Sequence, residues 1–155
     1  MISPELLRRY PFFGSFGDAH LRAIAMIADE GTAEQDIELF KECDPANTLY
    51  LLVDGAVDLY YKAEEEYHPK GKKEFLVGEI NPGEIFSVSA LIKPYVLNAT
   101  ARTSRPCRYI KIEAGALRKL LDEEPRMGYL VMQEITKALM ERLTYTRVQL
   151  AAAWA

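Results

Sequence analysis

The sequence predicts a mainly β domain with flanking helices and one long helix near its C-terminal end. Short apolar segments separated by turn residues fill positions 32–112, which is typical of antiparallel strands. Before and after that region, apolar residues recur at helical spacing, and the last such stretch continues for about 25 residues. The length of 155 residues and the 49% share of hydrophobic residues fit one globular domain.

We therefore expect a single domain in three parts: a helical segment over 1–31, the β region over 32–112 and helices over 113–155. The first part contains an amphipathic helix with Asp18 as its expected N-cap and Gly31 as its expected stop. The apolar face of this helix consists of Leu21, Ile24, Ala25 and Ala28.

The β region is predicted from alternating apolar segments and turns. The predicted strands are 48–53, 56–61, 75–80 and 108–112. The turns between and beside them, rich in Asp, Asn, Pro and Gly, are 44–47, 54–55 and 81–83. In the last strand Ile110 and Ile112 share one face, so that face must meet a core. The charged stretch 62–73 is predicted to be a solvated loop.

Helical spacing returns in 114–121 and, after Pro125, from 126 to about 153. The apolar stripe of the long helix consists of Met132, Ile135, Leu139, Leu143, Thr146, Leu150 and Trp154. A helix of about 25 residues is near 38 Å long, which exceeds the side of a domain of this size. Part of the stripe therefore needs another partner, and we predict a homodimer through this helix.

The usual signals of catalysis are absent from the sequence. It has no nucleotide phosphate loop, no dinucleotide-binding glycine pattern and no His-Glu-x-x-His zinc motif. His20 and His68 are the only histidines and lie in different predicted elements, which argues against a metal-dependent cupin-like enzyme. Cys43 and Cys107 are expected to be packed residues rather than nucleophiles. We expect no catalytic residue, no metal and no cofactor, with a cupin-like jelly-roll enzyme as one alternative.

Charge and hydropathy indicate the partners that the chain is not expected to have. A net charge of -4 disfavours a duplex-DNA surface, and no apolar run reaches the length of a membrane span. The N-terminus has no signal pattern and the two cysteines offer no disulfide framework, so a cytoplasmic location is expected. Because the sequence ends at Ala155, any output is expected to come from a separate protein.

Two segments carry a resemblance to a known family. Phe40 to Val57 reads as an apolar residue, a basic residue and Glu, then a turn, an apolar strand and a Gly-x-Val turn; Asn81 to Phe86 contains Gly-x-x-Phe. These segments resemble the cyclic-nucleotide-binding domain family, which includes catabolite activator proteins and protein kinase A regulatory subunits. The apolar start at 6–13 and the long helix match in order and kind. The resemblance implies a double-stranded β-helix, or jelly roll, and a ligand-sensing role.

The family's phosphate-binding cassette reads Phe-Gly-Glu-Leu-Ala-Leu, a short linker and Pro-Arg-Ala-Ala-Thr. Its glycine lets the backbone approach the phosphate, its glutamate accepts from the ribose 2′-hydroxyl, and its arginine pairs with the phosphate. Ser87 stands here for the glycine, Val88 for the glutamate and Leu97 for the arginine. The ligand-binding residues implied by the resemblance are Phe86, Ser87, Val88, Ser89, Ala90, Leu97, Asn98, Ala99 and Thr100.

These replacements predict weak binding of cyclic nucleotides. Loss of a buried charge partner costs roughly 2–5 kcal/mol, or about 30- to 3,000-fold in affinity. Arg102 is the candidate substitute for the missing arginine, because it shares strand parity with Asn98 and Thr100.

The sequence thus predicts a degenerate, non-catalytic sensor domain that does not bind cyclic AMP or cyclic GMP tightly. It is expected either to bind another small effector, apolar or aromatic with at most one negative charge, or to act as a dimeric interaction module. A functional cyclic-nucleotide receptor with an altered cassette is the other alternative.

Overall fold

Two antiparallel sheets and a set of helices on one side of them make up the fold. The computed structural model describes residues 1–64 and 72–155. The helices are α1 (Pro4–Arg8), α2 (Asp18–Met26), α3 (Ala114–Glu123) and α4 (Pro125–Ala153), with short 3-10 helices at Pro11–Phe13 and Val88–Leu91. The strands are β1 (Ala28–Ala33), β2 (Glu38–Phe40), β3 (Thr48–Asp54), β4 (Val57–Glu64), β5 (Lys72–Ile80), β6 (Ile85–Phe86), β7 (Thr100–Thr103) and β8 (Cys107–Glu113).

The strand order identifies the jelly roll. The first sheet has the order β1-β8-β3-β6 and the second has the order β2-β7-β4-β5, with antiparallel pairing throughout both. Each sheet therefore takes strands from both halves of the β region, so the two sheets close over a shared interior. The predicted mainly β fold with flanking helices and a long C-terminal helix is confirmed.

The first sheet contacts a core on each of its faces. On one face, Leu49 and Leu51 of β3 and Ile110 and Ile112 of β8 pack against the helices. On the other face, Leu52 packs between the two sheets. Side chains alternate across a strand, so the same strands supply both cores. The predicted apolar face of Ile110 and Ile112 is confirmed, because both side chains are buried.

Only the first turns of α4 are covered by the domain. Met127, Val131 and Ile135 are buried, and they follow one another at a spacing of four residues. Ile135, the second residue of the predicted stripe, therefore belongs to the core of the domain. Further along, the apolar side chains of the stripe are exposed: 43% at Leu139, 51% at Leu143, 59% at Leu150 and 84% at Trp154.

The predicted N-terminal helix was wrong in its last turn. The helix ends at Met26, and Ala28 begins β1 instead of continuing the helical face. Pairing with β8 outweighs the helical spacing here, because Ala28 lies opposite Ile112 and Gly31 lies opposite Tyr109. The β region thus starts before position 32. The N-cap also differs: Gly17 occupies that position, and Asp18 lies in the first turn.

The strands flanking the predicted charged loop are longer than the sequence indicated. β4 extends to Glu64 and β5 begins at Lys72, and the cross-strand pairing of the two strands continues to these residues. Both ends of the predicted loop 62–73 are therefore strand. Positions 65–71, including His68, lie outside the described residues.

Two glycines form tight turns with positive φ, but their surroundings differ. Gly55 has a φ of 99° and Gly83 a φ of 90°. A Cβ on Gly55 would lie 2.4 Å from the carbonyl oxygen of Pro106 and 2.7 Å from the sulfur of Cys107, whereas one on Gly83 would meet no heavy atom within 4 Å. Both sites favour glycine by conformation. Gly55 is also required by the close approach of β8.

This difference predicts unequal effects of alanine at the two turns. Gly83→Ala should lower the free energy of unfolding by about 1–2 kcal/mol, the cost of placing a side chain at positive φ. Gly55→Ala should cost about 1–3 kcal/mol more, because its Cβ would also clash with the backbone. Urea unfolding of both variants measures the difference. Equal midpoints would contradict the close approach at Gly55.

Candidate functional site

The cassette begins with a left-handed backbone turn. Ser87, between β6 and the 3-10 helix Val88–Leu91, has φ 64° and ψ 40°. This region favours glycine, the residue that the family pattern has at this position. The N–H of Ala90 donates to the Ser87 carbonyl oxygen at 3.0 Å. The turn thus has a backbone conformation that suits glycine, although a serine forms it.

A cavity of about 300 Å³ opens beside this turn. It is bordered by β2, β3, the 44–47 turn and the cassette. Its lining residues are Leu39, Phe40, Asp44, Pro45, Asn47, Thr48, Tyr50, Ser87 and Leu97. Among these described residues, the single ionisable group that is charged at neutral pH is the carboxylate of Asp44. The lining therefore offers apolar groups and hydroxyls rather than a cation.

Aromatic rings from both sheets meet next to the cavity. The ring of Tyr50 stacks on that of Phe86 with centroids 4.9 Å apart and an interplanar angle of 13°. Phe40 lies 5.8 Å from Tyr50 and 6.2 Å from Phe86. Tyr109 meets Tyr50 edge-on at 5.5 Å. Phe40 and Tyr50 line the cavity, while Phe86 is fully buried behind them.

The Tyr50 hydroxyl is a neutral donor at the cavity. Burial raises its pKa above the usual value, and the nearby Tyr109 hydroxyl raises it further, while a contact with the Thr48 side chain lowers it. The phenol is protonated at neutral pH, because its ordinary pKa is already well above neutral and the net shift is upward. The cavity lining thus includes three residues with uncharged hydroxyls, Thr48, Tyr50 and Ser87.

The structure brings together some of the predicted site residues and separates others. Ser87 and Leu97 line one cavity. Val88 packs instead into the core beneath the helices. Ala90 lies beside Leu97 in a small apolar cluster but does not line the cavity.

The remaining predicted residues lie around this site rather than in its lining. Ser89 and Ala99 are half-buried, and Asn98 is exposed. Thr100 is buried, and its hydroxyl accepts from the backbone N–H of Glu42 at 3.0 Å. Thr100 thus holds the end of β2 against β7.

Arg102 is placed on the outer surface of the second sheet. Its guanidinium pairs with Glu74 at 3.1 Å and lies 4.7 Å from the ring centre of Tyr60. The neighbouring Ala101 is buried between the sheets, so Arg102 faces the opposite way. Thr100 and Arg102 both lie in β7, two residues apart, and therefore share one face of the strand as expected. However, the structure places Arg102 away from the cavity lining.

Arg118 on α3 supports the site, although no motif in the sequence marks it. Its Nε donates to the carbonyl oxygen of Ala90 at 2.7 Å, and an Nη donates to that of Ala46 at 2.9 Å. Its guanidinium also lies 3.8 Å from the centre of the Tyr95 ring. Ala46 belongs to the turn on one side of the cavity and Ala90 to the cassette on the other. Arg118 therefore fixes both sides to α3.

The two sides of the cavity are also bonded to each other. The N–H of Cys43 donates to Leu97, that of Leu97 to Asp44 and that of Ala46 to Tyr95, at 2.8, 2.9 and 2.8 Å between nitrogen and carbonyl oxygen. These backbone bonds join the 43–46 segment to the 95–97 segment. The cavity thus has a hydrogen-bonded rim.

A second arginine joins the long helix to the cassette strand. Arg142 of α4 donates to the carbonyl oxygen of Ile85, two residues before Ser87. Burial lowers the pKa of Arg142, and the carboxylates of Glu84 and Glu141 oppose that shift. The guanidinium remains charged because its ordinary pKa is far above neutral. α4 is therefore anchored to the start of the cassette.

The described residues contain no group of three or more His, Cys, Asp or Glu side chains placed to hold a metal ion. Cys107 is buried, and burial raises the pKa of its thiol, which keeps it protonated. Over residues 1–64 and 72–155, no helix has the length and apolar character needed to cross a membrane.

The two sheets and their flanking helices define a jelly-roll domain. The sequence model of the cyclic nucleotide-binding domain matches residues 32–124. A cyclic nucleotide-binding protein from Geobacter metallireducens is 36% identical, with a TM-score of 0.81 over 92% of this chain and 99% of that one. The chain therefore belongs to the cyclic nucleotide-binding domain family.

More distant structures share the fold. The catabolite activator protein of Thermus thermophilus is 20% identical, with a TM-score of 0.68 over 92% of this chain and 62% of that one. The c-di-GMP-responsive global regulator of Xanthomonas campestris is also 20% identical, with a TM-score of 0.64 over 87% of this chain and 65% of that one. The comparison with curated proteins gave no match.

The contacts of Arg118 predict a stability cost for its removal. Arg118→Met should lower the free energy of unfolding by about 1.5–3 kcal/mol, because the carbonyl oxygens of Ala46 and Ala90 lose a charged donor. Lys119→Met, on the exposed neighbour in α3, is the matched control and should stay within about 0.5 kcal/mol of the unmodified domain. Urea unfolding measures both. Equal effects would show that Arg118 does not fix the cavity.

Proposed function

We propose that this chain is a non-catalytic cytoplasmic sensor domain that does not bind cyclic AMP or cyclic GMP tightly. It responds to another small effector and signals as a homodimer through α4. The observation that carries the proposal is the charge of the cavity. Leu97 and Ser87 line it, and Asp44 is its charged group.

A cyclic phosphate carries a negative charge that needs a partner once it leaves water. In the family pattern an arginine is that partner. Here the corresponding Leu97 packs with Ala46, Ala90 and Ala114, and the Asp44 carboxylate has the same sign as a phosphate. Arg102 is engaged by Glu74 on the outer face. These contacts support weak binding of cyclic nucleotides.

The size of the cavity supports binding of a different small effector. The cavity of about 300 Å³ is at the lower end of the range for small-molecule sites. A fold of this type is also not restricted to one ligand, because function resides in the site rather than in the fold. The Xanthomonas campestris protein of similar fold is described as responsive to c-di-GMP, which is another nucleotide.

The exposed stripe of α4 supports the homodimer. The sequence separations from Leu139 to Leu143, Thr146 and Leu150 are four, three and four residues, the pattern of a coiled-coil seam. The three leucines are each more than two-fifths exposed in the single chain. Val148 lies on the far side of the helix from this seam. A second copy of the same stripe would cover the leucines.

The first test measures cyclic-nucleotide affinity by calorimetric titration. We expect dissociation constants above about 10 μM for both cyclic AMP and cyclic GMP, since the phosphate lacks a charged partner. A tighter value for either nucleotide would contradict the proposal and identify the domain as a functional receptor with an altered cassette.

The second test concerns the seam on α4. Leu143→Glu should give monomers in light scattering at tens of micromolar protein, because the seam would then bury an unpaired carboxylate. Val148→Glu is the matched control and should leave the dimer intact. Truncation after Arg142 should also give monomers. A monomeric unmodified domain, or equal behaviour of the two glutamate variants, would contradict dimerisation through this stripe.

A further inference from the structure

The chemistry of the cavity lining indicates the class of effector. Two aromatic rings, Phe40 and Tyr50, line the cavity and are held in place by Phe86. Rings fixed in this way offer a rigid apolar surface, and planar ligands gain most from such a surface because aromatic groups stack or meet edge-on.

Apart from the Asp44 carboxylate, the polar side chains of the lining are neutral. Three residues that carry hydroxyls, Thr48, Tyr50 and Ser87, line the same cavity together with Asn47. Each hydroxyl both donates and accepts, so together they match a ligand edge with heteroatoms. The raised pKa of Tyr50 keeps its proton available for donation at neutral pH.

The charges disfavour an ionised ligand of either sign. An anion would meet the Asp44 carboxylate and no cation among the described lining residues. A cation would find only Asp44, which is exposed and therefore gives a weak pair. A neutral compound avoids the cost of removing a charge from water.

We infer that this cavity binds an uncharged planar compound of one or two fused rings, stacked against Phe40 and Tyr50 and hydrogen-bonded to Thr48, Tyr50 and Ser87. The inference rests on the proposed function, since it names the effector class of the same site. In this inference the hydroxyls select the ligand, whereas in the family pattern charged residues do so.

The experiment compares ligands that share a ring and differ in charge. The probes are tryptophol, tryptamine and indole-3-acetate, which place a neutral, a cationic and an anionic arm on one indole ring. Adenosine and cyclic AMP form a second pair on a purine ring. Titrations are followed in the amide NMR spectrum, which detects millimolar binding. Tryptophol should bind about tenfold or more tightly than indole-3-acetate, and adenosine more tightly than cyclic AMP.

Substitutions test the role of each lining residue. Tyr50→Phe and Ser87→Ala should each weaken tryptophol binding by about three- to tenfold, because each removes one hydrogen bond. Tyr61→Phe is the matched control, since Tyr61 is exposed on β4 outside the cavity lining, and it should change nothing. Thr48→Lys should reverse the preference toward indole-3-acetate. Leu97→Arg should act in the same direction. Because Leu97 is buried, that variant places an arginine in the interior, which Thr48→Lys does not do.

The outcomes separate this inference from the proposed function. Cyclic AMP binding below about 10 μM would overturn both. Two other results would overturn the inference but leave the proposed function standing, provided that cyclic AMP binds weakly. One is tighter binding of indole-3-acetate than of tryptophol, and the other is that no uncharged probe binds below about 10 mM. Equal effects of Tyr50→Phe and Tyr61→Phe would also overturn it.

Discussion

The stack of Phe40, Tyr50 and Phe86 between the two sheets is the contact on which the rest of the site depends. Phe40 comes from the second sheet, and Tyr50 and Phe86 come from adjacent strands of the first. The rings therefore tie the sheets together at the end of the jelly roll where the cassette begins. They occupy interior space that smaller side chains would leave open, so the stack also sets how much room remains beside Ser87 and Leu97.

The regular parts of the fold followed from periodicity, and the irregular parts did not. β3 and β8 were predictable because their alternation is set by two buried faces, as with Leu49 and Leu51 against the helices. β2 and β6 have three and two residues, too few to show any period. Ala28 had the right spacing for α2, but its strand pairing depends on β8, which lies far along the chain.

The same division applies to the site. Ser87 and Leu97, which line one cavity, could be selected from the sequence because the cassette motif fixes their positions relative to Phe86. Val88 stands at the glutamate position of the motif, and its apolar side chain is buried in the core beneath the helices. Arg118 had no motif to mark it, since its role arises from contacts with three residues that lie 23, 28 and 72 positions earlier in the chain: Tyr95, Ala90 and Ala46.

The hydrogen bond between Arg142 and Ile85 lies far from the C-terminal end of α4. Trp154 lies twelve residues beyond Arg142, which corresponds to about 18 Å of helix. A tilt of about 10° at the anchor would therefore displace the far end by about 3 Å, with the backbone hydrogen bonds of the helix intact. Trp154, at the exposed end of α4, would therefore move farther than the residues beside the hydrogen bond between Arg142 and Ile85.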